Sequence, residues 1–194
     1  GTLVDKSEYI GTAVFGDGCA AAIIGPGSAG DWAIGEQQTH TVPDSRASIT
    51  WKPSNMSYIM FLDKQLGSIL GKHLLFNMRK YLREVCDGAS ASQVEWCVHP
   101  GGRAILDALC DPKYFLGVNA AMLRHSYQTL QDYGNMSSGT ILFVIKRMME
   151  EQKLAASALN ETHRPPPSKA FCLGFGPGLT VEVAGLNKIP LENA

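Results

Sequence analysis

The chain has 194 residues, 45% of them hydrophobic and 18% charged, which is enough to bury the core of one domain and excludes a disordered, collagenous or coiled-coil protein. Seventeen Lys and Arg residues face eighteen Asp and Glu residues, for a net charge of -1. No overall basic field would therefore attract nucleic acid or an anionic membrane, and we expect neither as a partner.

Cysteine usage and hydropathy indicate a cytoplasmic protein. No apolar run reaches the ~18 residues of a membrane helix, and no signal peptide opens the chain. The chain starts with Gly1 and not Met, and residues 9–15 already have the composition of packed structure, so we expect that its start is missing. The cysteines are odd in number and form no C-x-x-C pair, which predicts reduced thiols. They are Cys19, Cys86, Cys97, Cys110 and Cys172.

Strands and helices are predicted to alternate along the first half of the chain. Small and β-branched residues at 19–24 predict a buried strand, and 32–40 and 58–62 are further strand candidates. Apolar residues recur every three or four positions from Gly67 to Cys86, which predicts an amphipathic helix. Residues 94–98 then form a short strand that runs into His99 and a Pro-Gly-Gly turn.

The second half continues the same pattern. Helices are predicted at 104–109, 119–131 and 138–151, and strands at 170–173 and 179–183 flank a glycine-rich turn. Residues 153–168, which end in three prolines, are predicted to be a surface linker within a single domain spanning 1–194. This alternation indicates an α/β fold with layered helices and sheet.

Two polar residues stand out as candidates for catalysis. His99 ends an apolar strand directly before a helix start, and Asn135 lies in a turn of small residues. Alone, each residue has an ordinary structural explanation. Together, an imidazole and a carboxamide in one pocket would supply two donors to a carbonyl oxygen that becomes negative.

Functional hypotheses that rest on other single motifs have less support. The run from Gly174 to Gly178 lacks the third glycine of a dinucleotide fingerprint, since position 179 is Leu. A Cys97/His99 dyad would require side chains ~6.6 Å apart along a strand to meet, so Cys97 is interpreted as a core residue. The remaining histidines show no spacing typical of metal ligands, and we expect no metal site.

Four ordered segments resemble one family. They are Val14-Phe15-Gly16-Asp17-Gly18-Cys19-Ala20-Ala21, Trp96-Cys97-Val98-His99-Pro100-Gly101-Gly102-Arg103-Ala104-Ile105-Leu106-Asp107, Tyr133-Gly134-Asn135-Met136-Ser137-Ser138 and Gly174-Phe175-Gly176-Pro177-Gly178-Leu179-Thr180-Val181-Glu182. In this order they resemble the C-terminal half of the type III polyketide synthases, the chalcone and stilbene synthase family of the thiolase fold. The residues after the histidine, Pro100-Gly101-Gly102, differ from those of ketoacyl synthase III, the enzyme that initiates fatty acid synthesis. An enzyme like ketoacyl synthase III remains an alternative function.

The resemblance implies roles for individual residues. His99 and Asn135 match the catalytic histidine and asparagine, and Phe15 matches a gatekeeper at the coenzyme A tunnel. The backbone near Gly101, Gly102 and Ala104 would contact coenzyme A. The remaining cavity residues implied by the family are Trp51, Met60, Ser137, Gly174, Phe175, Gly176, Pro177 and Gly178.

The resemblance also implies an acyltransferase that condenses an acyl-CoA starter with malonyl-CoA, as a homodimer without metal or prosthetic group. Two departures qualify it. Trp51 falls where chalcone synthases have a cavity glycine and Met60 where they have a phenylalanine, so we expect a product unlike chalcone. None of the five cysteines matches the family nucleophile, which belongs to an N-terminal half. The chain alone is therefore expected to be inactive, and an inactive partner subunit is the alternative.

Overall fold

A four-stranded mixed sheet lies at the centre of the fold. The computed structural model describes residues 13–27, 32–53, 55, 58–114, 116–158 and 166–190. The sheet contains β1 (Trp32–Thr41), β4 (Glu95–Val98), β5 (Lys169–Gly176) and β6 (Thr180–Lys188). Their spatial order is β1-β6-β5-β4. β6 pairs antiparallel with β1 and β5, and β5 pairs parallel with β4.

Helices cover both faces of this sheet. They are α1 (Leu66–Val85), α2 (Arg103–Leu109), α3 (Arg124–Tyr133) and α4 (Thr140–Ala158). α1 buries an apolar stripe that contains Leu70, Leu74, Met78 and Tyr81, as its three- and four-residue spacing predicts. No helix among the described ranges is long and apolar enough to cross a bilayer.

Alternation along β5 separates two apolar cores. Phe171 and Leu173 face the larger core, which includes the stripe of α1, whereas Ala170 and Cys172 face Val144 on α4. Successive side chains of a strand point to opposite faces, so a continuous apolar strand is the expected sequence for a sheet covered on both sides. The arrangement is a layered α/β fold.

A hairpin outside the main sheet forms one wall of the molecule. It consists of β2 (Ile49–Pro53) and β3 (Tyr58–Leu62), in which Trp51 lies opposite Met60. The β5–β6 turn fastens this hairpin, because Gly178 N donates to Ile49 O at 3.0 Å. Ser45 Oγ also donates to Gly178 O at 3.1 Å. The glycine-rich turn and the hairpin are thus held as one unit.

The outer edge of β4 is covered by a side chain and not by another strand. Val98 N donates to Ser126 Oγ at 3.2 Å, and Ser126 Oγ donates to Val98 O at 2.7 Å. Because Ser126 lies on α3, one hydroxyl both satisfies the strand edge and attaches the helix. An edge closed in this way cannot pair with another strand at that position.

Several predicted elements are confirmed with shifted ends, and others are wrong. The helix predicted at 119–131 runs from Arg124 to Tyr133, and the strands around the glycine-rich turn are longer than predicted. β2 was not predicted. Residues 19–24 form no strand and are exposed, with Ile23 fully solvent-accessible, because no described strand pairs with them. Residues 1–12, which include the predicted packed start at 9–12, lie outside the described residues.

The predicted linker needs a correction at its first part. α4 continues to Ala158, six residues into the range 153–168. Lys153, Leu154 and Ala155 are good helix formers, and the first proline that would stop a helix comes only at Pro165. Residues 159–165 lie outside the described residues.

Candidate active site

A cavity of about 500 Å³ opens between the end of β4, the β2–β3 hairpin and the segment around Asn135. Its wall is mostly apolar, with three polar side chains, His99, Asn135 and Ser137, and a charged rim. An apolar cavity with few convergent polar groups is the usual form of a small-molecule site. The apolar lining residues are Val14, Phe15, Ile49, Trp51, Met60, Leu62, Leu66, Ala104, Ile105, Phe175 and Pro177.

His99 is held rigidly at this cavity. Its backbone N donates to Leu173 O at 2.8 Å, which extends the β4–β5 ladder by one residue. The ring packs edge-on against Phe175, with 5.7 Å between ring centroids. Burial lowers the pKa of His99 to about 4, because an apolar surrounding disfavours the charged imidazolium. The ring is therefore neutral at pH 7 and carries one N–H donor and one lone pair.

Asn135 has a fixed side-chain orientation. The side chain is buried, and its Nδ2 donates to Gly101 O at 3.1 Å. Its Oδ1 accepts the backbone N–H of Ser137 at 2.8 Å. These two bonds determine which end of the amide is oxygen and which is nitrogen. Since an amide nitrogen has two protons, one N–H is left to serve a group in the cavity.

Gly101 brings the two polar residues together. Its carbonyl accepts from Asn135, and a Cβ placed on it would lie 3.6 Å from His99 Nε2 and 3.3 Å from Phe175 Cε2. The absence of a side chain therefore leaves the imidazole accessible from this direction. His99 and Asn135 therefore both lie next to the backbone of Gly101.

Phe15 reaches the cavity through a close backbone crossing. Asn135 N donates to Val14 O at 2.8 Å, and Gly16 N donates to Asn135 O at 3.1 Å. A Cβ on Gly16 would lie 1.9 Å from Tyr133 O, so glycine is required where the two segments meet. The crossing places Phe15 beside Trp51, with ring centroids 6.0 Å apart.

The rim carries charged residues that the sequence did not single out. Lys64 and Arg103 line the cavity together with Asp63. Arg103 is largely exposed and pairs with Asp107, one helical turn on, at 3.5 Å. Its position directly after Gly101-Gly102 at the start of α2 was a usable signal, whereas nothing in the sequence pattern connects Lys64 to the site.

The predicted site residues gather at this cavity, with two exceptions. The exceptions are Gly174 and Gly178, which are not among its lining residues. Gly174 is part of β5, paired with Glu182. Gly178 has φ +72° and holds the hairpin through Ile49. The cavity is lined by the other predicted residues, namely His99, Asn135, Phe15, Trp51, Met60, Ser137, Phe175, Gly176, Pro177, Gly101, Gly102 and Ala104.

None of the five cysteines lines the cavity. Cys97 is fully buried in the smaller core, beside Cys172 on the neighbouring strand. The hydrogen bond to Cys172 and burial raise the pKa of Cys97 well above its ordinary value, so a thiolate is disfavoured there. The interpretation of Cys97 as a core residue agrees with this geometry.

Comparison with known proteins gives one family. Residues 34–190 match the family model for the C-terminal domain of chalcone and stilbene synthases. Among solved structures, a polyketide synthase (PKS-I) of the brown alga Ectocarpus siliculosus superposes with a TM-score of 0.71 at 25% identity, covering 84% of this chain and 41% of that one. CsyB complexed with CoA-SH gives 0.69 at 26%, covering 81% and 40%.

A third structure shares the fold at lower identity. The C-terminal type III polyketide synthase domain of Steely1, a type I/III hybrid from Dictyostelium, superposes with a TM-score of 0.66 at 20% identity. It covers 81% of this chain and 40% of that one. The chain thus spans about two fifths of the length of the structures it matches.

Proposed function

The chain belongs to the chalcone and stilbene synthase family, whose thiolase-like C-terminal domain it contains, and from this premise we propose that it forms part of the active site of a type III polyketide synthase. Such an enzyme is an acyltransferase that condenses an acyl-CoA starter with malonyl-CoA. The observation that carries the proposal is the convergence of His99 and Asn135 on one apolar cavity.

In the proposed reaction, these two residues stabilise negative charge on oxygen. Loss of CO₂ from a malonyl thioester leaves its electron pair as an enolate, whose carbon attacks the acyl thioester and expels the thiolate. The free N–H of Asn135 and the N–H of neutral His99 are the donors for the enolate oxygen. Fixed donors in a site that excludes water stabilise such charge far more than water does, because they need no reorganisation.

The nucleophile that carries the acyl group would come from outside the described residues. No cysteine lines the cavity, and related structures are about twice as long. We therefore propose that the nucleophilic cysteine belongs to an N-terminal half. From the resemblance to the family we also expect the complete enzyme to act as a homodimer, and we expect it in the cytoplasm. It would need no metal or prosthetic group, since coenzyme A thioesters supply the activated carbon.

The rim and the hairpin suggest how the substrate lies. Lys64 and Arg103 could pair with coenzyme A phosphates, while the side-chain-free backbone at Gly101 and Gly102 leaves room for the thioester arm. Trp51, packed on Phe15, takes up space at the cavity wall. Its bulk, where the resemblance to chalcone synthases implies a glycine, supports the expectation of a product unlike chalcone.

The test is substitution of each proposed donor in a complete enzyme. His99→Ala and Asn135→Ala are expected to reduce malonyl-CoA decarboxylation by about 10²- to 10³-fold, the usual effect of losing one oxyanion donor. Asn119→Ala is the matched control, since Asn119 is exposed and only caps a turn through Met122 N. Wild-type decarboxylation in both active-site variants would refute the assignment.

One observation favours a second candidate function for the chain. Because no cysteine lines the cavity, the chain could serve as a subunit that does not form an acyl-enzyme and acts only with a partner. The two candidates differ in whether an in-frame N-terminal half with a cysteine is translated, which sequencing of the transcript upstream of Gly1 decides.

A further inference from the structure

Thr140, the first residue of α4, lies next to the Asn135 side chain but does not line the cavity. Its side chain is fully buried. Oγ1 donates to Ser137 O at 2.7 Å and lies 3.5 Å from Asn135 Oδ1. The hydroxyl therefore touches both the turn that follows Asn135 and the amide oxygen itself.

The turn that Thr140 closes has an unfavourable backbone. Ser137 has φ +60°, in the left-handed region that residues with a side chain rarely adopt. With Ser137 in this conformation, its N–H donates to Asn135 Oδ1 at 2.8 Å. The carbonyl of Ser137 accepts both the backbone N–H and the hydroxyl of Thr140. Such a conformation persists only where its surroundings over-determine it.

We propose that Thr140 is a positioning residue for Asn135: its hydroxyl holds Ser137 in the left-handed conformation, and Ser137 N–H in turn holds the amide oxygen away from the cavity. The consequence is that an Asn135 N–H, and not its oxygen, faces the cavity beside His99. Without the hydroxyl the turn relaxes and the amide samples other orientations, including one that presents an acceptor to a developing negative charge.

The structural part of this inference can be tested on the 194-residue chain without any activity. Selective ¹⁵N-asparagine labelling gives the two Nδ2 protons of Asn135, assigned by their loss in Asn135→Ser. Thr140→Val is expected to accelerate exchange of these protons with water about tenfold, the effect of losing about one hydrogen bond. Thr140→Ser, which keeps the hydroxyl, is expected to restore wild-type exchange.

Two further variants separate the hydrogen bond from packing. Thr140→Ala removes the same hydroxyl with a smaller side chain, so it should behave as Thr140→Val does. Thr129→Val is the matched control: Thr129 is also fully buried on a helix, and its Oγ1 has no hydrogen-bond partner among the described residues. Unchanged Asn135 exchange in both Thr140→Val and Thr140→Ala, or equal acceleration in Thr129→Val, would overturn the inference.

The catalytic consequence rests on the proposed function and is measured separately. In a complete enzyme, Thr140→Val should lower kcat for malonyl-CoA decarboxylation about tenfold with little change in KM, and Thr140→Ser should recover it. A wild-type kcat in Thr140→Val, in an enzyme that Asn135→Ala inactivates, refutes the positioning role. If Asn135→Ala itself is fully active, the proposed function fails, and the exchange measurement still decides whether Thr140 orients the amide.

Discussion

At the residue scale, burial of histidine side chains links stability to pH. The pKa values of His99 and His125 are lowered to about 4, chiefly by burial, and that of His73 is lowered by burial and by His40. Well above pH 6.5 these side chains are neutral in both the folded and the unfolded chain. Between pH 6.5 and 4 the unfolded chain binds protons that the folded chain does not, so stability falls as pH falls.

We therefore expect the urea midpoint of the chain to be lower at about pH 5 than at about pH 7. His99→Gln should reduce this difference, because it removes one of the contributing groups without adding a charge. Equal midpoints at the two pH values would show that these histidines titrate normally in the folded chain.

Trp51 is the residue whose size bears most directly on the product. It is half-exposed at the cavity wall and packs on Phe15. Trp51→Ala in a complete enzyme is expected to open the cavity and extend the main product by at least one malonyl unit, read by mass spectrometry. Tyr58→Ala is the control, since Tyr58 belongs to the same hairpin but does not line the cavity. An unchanged product with Trp51→Ala contradicts the space-filling role.

At the element scale, β6 and the end of α1 are in backbone contact. A Cβ on Gly185 would lie 1.7 Å from Val85 O, and backbone cannot move aside as a flexible side chain can. Gly185→Ala should lower the free energy of unfolding by about 3 kcal/mol, the upper range of overpacking. Gly25→Ala, which would meet nothing within 4 Å, should change it by less than ~0.5 kcal/mol. Equal denaturation midpoints for Gly185→Ala and the wild type would exclude the close contact between Gly185 and Val85 O.

Elements could be predicted from the sequence where the pattern is local. α1 follows from its own periodicity, and β4 with the turn after His99 follows from an apolar run ended by Pro and Gly. β2 was missed because it is short and contains Lys52 and Pro53. Residues 19–24 have the composition of a strand, but a strand also needs a partner, which composition does not report.

The candidate site was predictable in its residue types but not in its connections. His99 and Asn135 were found from the motifs around them. The hydrogen bond from Asn135 to Gly101 O, which brings Asn135 to the segment of His99, joins positions 34 residues apart. The role proposed for Thr140 depends on one torsion angle, φ of Ser137. Neither is visible in a sequence, because hydrogen-bond partners across the fold depend on tertiary packing and not on local propensity.

At the scale of the whole molecule, the chain contains the proposed oxyanion donors but no cysteine that lines the cavity. Incubation of a Cys19→Ser variant of the 194-residue chain, which removes the exposed thiol, with an acyl-CoA should therefore leave its intact mass unchanged. The buried Cys97, with a raised pKa, has neither access nor thiolate character. A stable acyl adduct on Cys97 would contradict both the placement of the nucleophile in an N-terminal half and the reading of Cys97 as core.

The pairing of β1 with β6 has a consequence for synthesis on the ribosome. Trp32 pairs with Lys188 and Thr41 with Thr180, so β1 must wait for residues 42–179 to be synthesised before its partner strand emerges. At ordinary elongation rates this delay is on the order of ten seconds. During that time β1 presents an unpaired edge, and the nascent chain is a candidate for chaperone binding until β6 is released.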